Sequence, residues 1–210
     1  MFDEFFRGQI VEADTKIVLL IMDGLGGLPR EEGGKTELET ACKPNMDALA
    51  QKSALGMTIP AGPGITVGSG PGHLSIFGFN PLEYQIGRGA LEALGVDFEL
   101  GPDDVAARGN FCVVDENGLL VDRRAGRLPT CDSERLVQKL RTIKLDGAEV
   151  FVEVVKEHRF VLVLRAPGLG TSLTDSDPLV TGAAPLKVQA LDESSVRTAA
   201  LVNAFLEQAE

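Results

Sequence analysis

No apolar run in this chain approaches the ~20 residues of a bilayer-spanning helix, so the sequence predicts no membrane segment. Positive charge is scarce: 20 Lys and Arg against 31 Asp and Glu leave a net charge of −11 and a pI of about 4.7. That balance excludes a general nucleic-acid or anionic-membrane surface, though not a local basic pocket for a small anion. Cysteine is sparse too. Cys42, Cys112 and Cys131 are odd in number and lack metal-binding spacing, which argues against a disulfide framework and predicts reduced, mostly buried thiols in the cytoplasm. Residues 1–15 carry Asp3, Glu4, Glu12 and Asp14 around no apolar core, unlike a signal peptide. There is no internal repeat and no low-complexity tract. What remains is a 210-residue chain, 44% hydrophobic, with ample material for one large domain or two small ones.

The most distinctive stretch is residues 62–78 (GPGITVGSGPGHLSIFG), rich in glycine before an apolar run that begins at Leu74. It reads as a tight loop opening into a short helix with Ser69 at or just before the helix start. Free backbone N–H groups and the helix dipole favour an anion there. A serine hydroxyl so placed can attack a phosphoryl group; the plainer alternative is an N-cap. Residues 16–22 (KIVLLIM) read as a strand buried on both faces, typical of a parallel sheet, and they end in Asp23-Gly24. Ligands gather beyond the carboxyl ends of such strands. Asp23 is a hard oxygen donor suited to Mg or Mn, or else a turn aspartate.

Taken in order, Phe2, Phe5, Phe6 and Ile10 recur at helical spacing, and a short N-terminal helix is expected, with a disordered leader as the alternative. Thr36 and Glu39 have capping-box spacing. Residues 44–50 read as a helix, 55–59 as a short strand, and 90–94 as a helix stopped by Gly95. Arg88, between two glycines, is either an anion clamp or a solvated loop residue. Residues 110–114 and 119–122 form strand-like runs about the turn at 115–118. Residues 134–143 read as an amphipathic helix, 150–155 and 160–164 as a second hairpin, 168–185 as loop and 192–210 as a helix.

Between the hairpins lies Asp122-Arg123-Arg124-Ala125-Gly126-Arg127, an arginine-rich loop in an otherwise acidic chain. Arginine binds phosphate and carboxylate bidentately. His158, Arg159 and Arg165 flank the second hairpin and are candidates to join it. Solvated surface is the plain alternative for all of them.

Residues 21–27 (IMDGLGG), 36–41 (TELETA), 44–50 (PNMDALA) and 68–74 (GSGPGHL), followed by 86–93 (IGRGALEA), 108–111 (RGNF), 122–127 (DRRAGR) and 174–178 (TDSDP), resemble in order and spacing the cofactor-independent phosphoglycerate mutases of the archaeal type, within the alkaline phosphatase superfamily. The resemblance runs from about residue 16 to the end. It implies an α/β chain: residues 1–107 as the N-terminal part of an alkaline-phosphatase-like lobe with a mostly parallel sheet, and residues 108–210 as a smaller inserted α+β substrate-binding domain. It implies interconversion of 3-phosphoglycerate and 2-phosphoglycerate in glycolysis and gluconeogenesis, through a phosphoserine and without 2,3-bisphosphoglycerate. Ser69 matches the nucleophile and a metal ligand, and Asp23 another ligand to two divalent metals, manganese first, with magnesium or another divalent ion as alternatives. Arg88, Arg123, Arg124, Arg127 and Arg159 are the expected substrate-binding residues.

Two departures stand out. Many members have an acidic residue directly after the serine, where this chain has Gly70. Relatives are about twice as long, and their remaining Asp and His metal ligands lie in the second half, whereas this chain has only His73 and His158. An absent C-terminal half or self-association is therefore expected. Another phosphomutase or phosphatase of the superfamily, and a non-catalytic phosphoglycerate-binding fragment, are the alternative readings.

Overall fold

The computed structural model describes residues 7–22, 24–65 and 68–210, the side chain of Ser69 apart. It divides into two compact units, Met1–Met57 and Thr58–Glu210.

In the first unit, α1 (Glu37–Thr40) and α2 (Pro44–Ala50) are the regular elements among the described residues. The capping box forms as its spacing requires. Glu39 N–H donates to Thr36 Oγ1 at 3.2 Å, and Thr36 N–H donates to Glu39 Oε2 at 2.8 Å. Pro44 opens α2, where its missing N–H costs no hydrogen bond. The strand expected over 16–22 does not form: these residues lack regular structure, and Ile17 is 97% exposed. A strand is one side of a ladder, and no described residue pairs with this run. The expected helix at the N-terminus falls largely on residues outside the description.

The second unit is built on α3 (Ser69–Ile76), α4 (Arg88–Gly95), β1 (Asp104–Asn110), β2 (Val113–Val114), β3 (Leu120–Asp122), α5 (Thr130–Leu140), β4 (Glu149–Lys156), β5 (Arg159–Arg165) and α6 (Val196–Ala209). The strand expected over 55–59 is absent, and Met57 is 99% exposed. β1, β5 and β4 make one sheet in that order, with β5 central; β2 and β3 make a two-stranded ribbon. All these pairings are antiparallel, so the expectation of a mostly parallel sheet is not met among the described residues. The consecutive strands β4 and β5 meet through a tight turn, which antiparallel pairing permits and parallel pairing does not.

β5 is buried from Phe160 to Leu164 because both faces of the sheet are covered. On one face, Val152, Phe160, Leu162 and Leu164 pack with Val137 and Leu140 of α5 and Leu201 and Phe205 of α6. On the other, Val161 and Val163 pack against Ala93 of α4, flanked by Val96, Phe98 and Leu100. Gly89 brings α4 onto the sheet edge: a Cβ there would lie 1.9 Å from Ala106 O, so no larger residue fits without moving the helix. Buried Ser133, Val137 and Leu140 of α5 follow helical spacing. The thiols depart from expectation, since Cys42, Cys112 and Cys131 are all exposed; each lies in a loop or at a helix start, away from the two cores.

Phe205 is 1% exposed and sits where α6 meets the sheet. Phe205→Ala is expected to destabilise the chain by about 3–5 kcal/mol, read as a lower denaturation midpoint with unchanged m-value.

Candidate functional site: an arginine-lined cavity

The ends of β1 and β5 create the site. Asn110 pairs with Arg159 and Arg108 with Val161. Alternation therefore puts Arg108, Asn110 and Arg159 on one sheet face, the face that α4 covers. α4 presents Arg88 and Glu92 one turn apart, and Arg159 Nη1 lies 3.6 Å from Glu92 Oε1. Arg88 occupies the first turn of a helix, where the dipole disfavours a cation unless an anion is near. Its Nη2 reaches the N-cap of α3, lying 3.2 Å from where a Cβ on Gly68 would sit.

The loop after β3 closes the cavity. Asp122 organises it, accepting 2.7 Å hydrogen bonds from the backbone N–H groups of Arg124 and Gly126. Ala125, Gly126 and Arg127 all have positive φ, at 44°, 62° and 54°. Two non-glycine residues in the left-handed region carry backbone strain, which concentrates where geometry serves a function. The β4–β5 turn forms another wall. Glu157 has φ 53°; its N–H donates to Thr130 Oγ1 at 3.1 Å, and its carbonyl accepts from Ser133 Oγ, so the first turn of α5 fixes the tip that carries His158. The last wall is the segment before α6. Asn203 grips it through Val188, donating to its carbonyl at 2.8 Å and accepting from its N–H at 2.9 Å. Asp177 in that segment receives a bidentate pair from Arg123, Nε to Oδ1 at 2.7 Å and Nη2 to Oδ2 at 2.6 Å.

The result is a cavity of about 580 Å³ whose lining includes Arg88, Arg108, Arg123, Arg124, Arg127 and Arg159, against Glu157, Asp175 and Asp177. Arg123 is engaged by Asp177, and Arg127 lies 3.9 Å from Glu157. Arg88, Arg108 and Arg124 form no salt bridge among the described residues. Burial and the guanidinium of Arg88, then that of Arg159, push Arg108 below its ordinary pKa, while Glu92 and Asp175 oppose this. His158 is also pushed down, by burial first and then by Arg159 and Arg124, with Glu157 opposing. Since its folded pKa is below the unfolded value of about 6.5, its neutral form favours folding above that pH, and the contribution is lost as pH falls toward the folded value. Such concentrated and incompletely neutralised positive charge in an acidic protein is suited to an anion with more than one negative charge.

Arg88, Arg123, Arg124, Arg127 and Arg159 thus line one cavity. Arg165, also a candidate, does not join them. It makes a bidentate pair with Asp104, Nε to Oδ1 at 2.6 Å and Nη2 to Oδ2 at 2.7 Å, and lies 4.9 Å over the Phe151 ring. It stands at the opposite end of β5 from Arg159, held by these contacts. Arg108, Asn110, Asp175 and Asp177 were not singled out as site residues; the ladder register brings in the first two. Ser69 opens α3 by its backbone, with Gly68 rather than Ser69 as N-cap; its side chain, and Asp23 entirely, lie outside the described residues. A Cβ on Gly70 would lie 2.8 Å from Leu91 Cδ1, the movable tip of a side chain on α4. Among the described residues no three of His, Cys, Asp and Glu converge to hold a metal, and no helix is long and apolar enough to cross a membrane.

A strand-framed, arginine-lined pocket beside a glycine-rich helix start has the charge and the donors to suit a small anion such as a phosphate or carboxylate. Comparison with known proteins narrows this. The family profile described as 2,3-bisphosphoglycerate-independent phosphoglycerate mutase matches residues 50–210, and the chain belongs to that family. It is 53% identical over 196 residues to a Thermus thermophilus protein named "Probable 2,3-bisphosphoglycerate-independent phosphoglycerate mutase", covering 92% of this chain and 48% of that one. A Deinococcus radiodurans protein of the same name is 49% identical over 209 residues, covering 97% and 51%. Among solved structures, the cofactor-independent phosphoglycerate mutase of Thermoplasma acidophilum aligns with TM-score 0.56 and 38% identity over 66% of this chain and 37% of that one. A Pyrococcus horikoshii protein aligns with TM-score 0.60 and 30% identity, covering 89% and 41%. The chain spans about half the length of the curated relatives it matches.

Asp122 and Asp177 are both held below the ordinary carboxylate range, Asp122 chiefly by the Arg124 N–H and Asp177 chiefly by the Arg123 guanidinium. Their contribution to folding is present above the unfolded value of about 3.9 and is lost as pH falls through the folded values. Asp122→Ala is expected to speed hydrogen exchange at the Arg124 and Gly126 amides about tenfold at neutral pH, while the β5 amides stay protected.

Proposed function

We propose that this chain is the nucleophile- and substrate-holding part of a mutase that interconverts 3-phosphoglycerate and 2-phosphoglycerate in glycolysis and gluconeogenesis. The observation that carries the proposal is the meeting of unpaired guanidiniums in one cavity, with Arg88 reaching from that cavity to the N-cap of the Ser69 helix. In this reading residues 1–107 are the N-terminal part of an alkaline-phosphatase-like lobe, and residues 108–210 are the inserted substrate-binding domain. The enzyme acts in the cytoplasm, with neither nucleic acid nor membrane as partner.

Ser69 Oγ forms a bond to phosphorus as the bond from phosphorus to the 3-oxygen of the glycerate breaks, and the serine proton ends on that oxygen. The free backbone N–H groups at the start of α3 stabilise the phosphoryl oxygens. Arg88, Arg123, Arg124, Arg127 and Arg159, joined by Arg108, hold the glycerate while it turns; its 2-oxygen then bonds to phosphorus as the bond from phosphorus to Ser69 Oγ breaks, and the 2-hydroxyl proton returns to Oγ. In this reading the inserted domain closes over the other lobe and so keeps water from the phosphoserine. Retention of the alcohol is what separates a mutase from a phosphatase, and an arginine cavity serves it. Two divalent ions, manganese in first place, with Asp23 and Ser69 among their ligands, belong to the family expectation. The described residues do not by themselves form such a site, so no step is assigned to a metal. The further ligands are proposed to come from a complementary half or from association between chains.

The test is turnover of 3-phosphoglycerate by the 210-residue chain with manganese, alone and mixed with the C-terminal half of the Thermus thermophilus relative. 2-Phosphoglycerate is expected in the mixture, and Ser69→Ala is expected to lower the rate by about 10³-fold or more without unfolding the chain. Full turnover by Ser69→Ala would remove Ser69 from the mechanism. Tight phosphoglycerate binding with no turnover in any mixture would favour a binding role.

A further inference from the structure

We infer that His158 and Asn110 form a hydroxyl-reading element, so that the cavity selects hydroxy acids over equally charged acids that lack the hydroxyl. The inference rests on the phosphoglycerate reading above and adds a specificity device to it.

The arginines account for the anionic oxygens of a ligand. They do not account for two neutral groups in the same lining. His158 is 6% exposed, and its Nδ1 is buried without a hydrogen-bond partner. Asn110 Oδ1 is likewise buried and unpartnered. Unpaired buried polar atoms are rare because each forfeits its hydrogen bond to water. Neither is an accident of a loose segment. Asn110 sits in the β1–β5 ladder opposite Arg159, and the adjacent Phe111 N–H donates to the His158 carbonyl at 2.7 Å.

The chemistry of the two atoms limits what can complete them. Asn110 Oδ1 only accepts a hydrogen bond. Phosphate and carboxylate oxygens at neutral pH also only accept, so an anionic group in contact with Oδ1 repels it. A ligand hydroxyl donates and accepts, and so matches an acceptor such as Oδ1 and a neutral imidazole alike. Burial first, and then the charges of Arg159, Arg124 and Arg127, push the imidazole toward its neutral form, with Glu157 Oε2 at 3.9 Å opposing them. A hydroxy acid fills these positions, whereas its deoxy counterpart of equal charge leaves both atoms unpaired, and a site built this way discriminates strongly.

The test uses the whole 210-residue chain and two probes, 3-phosphoglycerate and 3-phosphonooxypropanoate, which carries the same anionic groups without the 2-hydroxyl. Calorimetry is expected to show at least about tenfold tighter binding of 3-phosphoglycerate. Asn110→Leu and His158→Phe are each expected to shrink that ratio to about twofold or less by weakening the hydroxylated probe, and His158→Gln, which keeps a donor and an acceptor, to restore part of it. With only two histidines in the chain, imidazole NMR gives a second readout. The His158 signals are expected to move with 3-phosphoglycerate and to stay put with inorganic phosphate. Equal binding of the two probes by the unsubstituted chain, or an unchanged ratio in both variants, overturns the inference and leaves the phosphoglycerate reading standing. Binding of neither probe overturns both.

Discussion

The antiparallel pairing of β5 with β1 on one side and β4 on the other is the constraint on which the second unit depends. β5 is the one strand of that sheet with two partners and two covered faces. Its apolar residues feed both cores, and its first residue, Arg159, belongs to the cavity. Register then does the functional placement. A shift of one residue between β1 and β5 would send Arg108 and Asn110 to the opposite face and Arg159 would lose both neighbours. The glycines support this register at two points. Gly89 lets α4 sit on β1, and Gly109 leaves room for the Phe160 ring, which would lie 2.1 Å from a Cβ there.

Concentrating guanidiniums opposes folding through mutual repulsion, and the surroundings show how that cost is contained. Asp122 spends its carboxylate on the backbone of the arginine loop rather than on an arginine side chain, holding the loop in shape without neutralising it. Asp177 neutralises Arg123 and also accepts the Leu179 N–H at 2.9 Å, so the ion pair is tied into its own segment. Glu92 and Glu157 make longer contacts to Arg159 and Arg127. Part of the positive charge is thereby left for a ligand. Association with a multivalent anion is accordingly expected to depend on ionic strength, more so at the exposed Arg124 and Arg127 than at the part-buried Arg108.

Much of this was legible in the sequence. The second hairpin, the C-terminal helix, the capping box and the helix start at Ser69 follow from periodicity and turn chemistry. The arginine loop announced itself by contrast with an acidic chain. The apolar runs at 16–22 and 160–164 look alike as sequence, yet only the second is a strand, because strand formation depends on neighbours that local pattern does not supply. The strand expected over 110–114 caught only the last residue of β1 and the two residues of β2: in DVAARGN, small and charged residues mask a strand that its partner β5 selects. Arg108 was missed for the same reason, and Arg165 was taken as a site candidate because sequence distance cannot reveal its partner Asp104, 61 positions away. The parallel sheet expected from family resemblance has no counterpart among the described residues.

The most direct test of the cavity as the phosphoglycerate-holding site is calorimetric titration of 3-phosphoglycerate into the 210-residue chain and its Arg108→Gln variant at low salt. Saturable one-site binding, weakened about tenfold or more by the substitution in a chain that keeps its thermal midpoint, is the result expected. Equal binding by the two proteins would contradict it and move the ligand elsewhere.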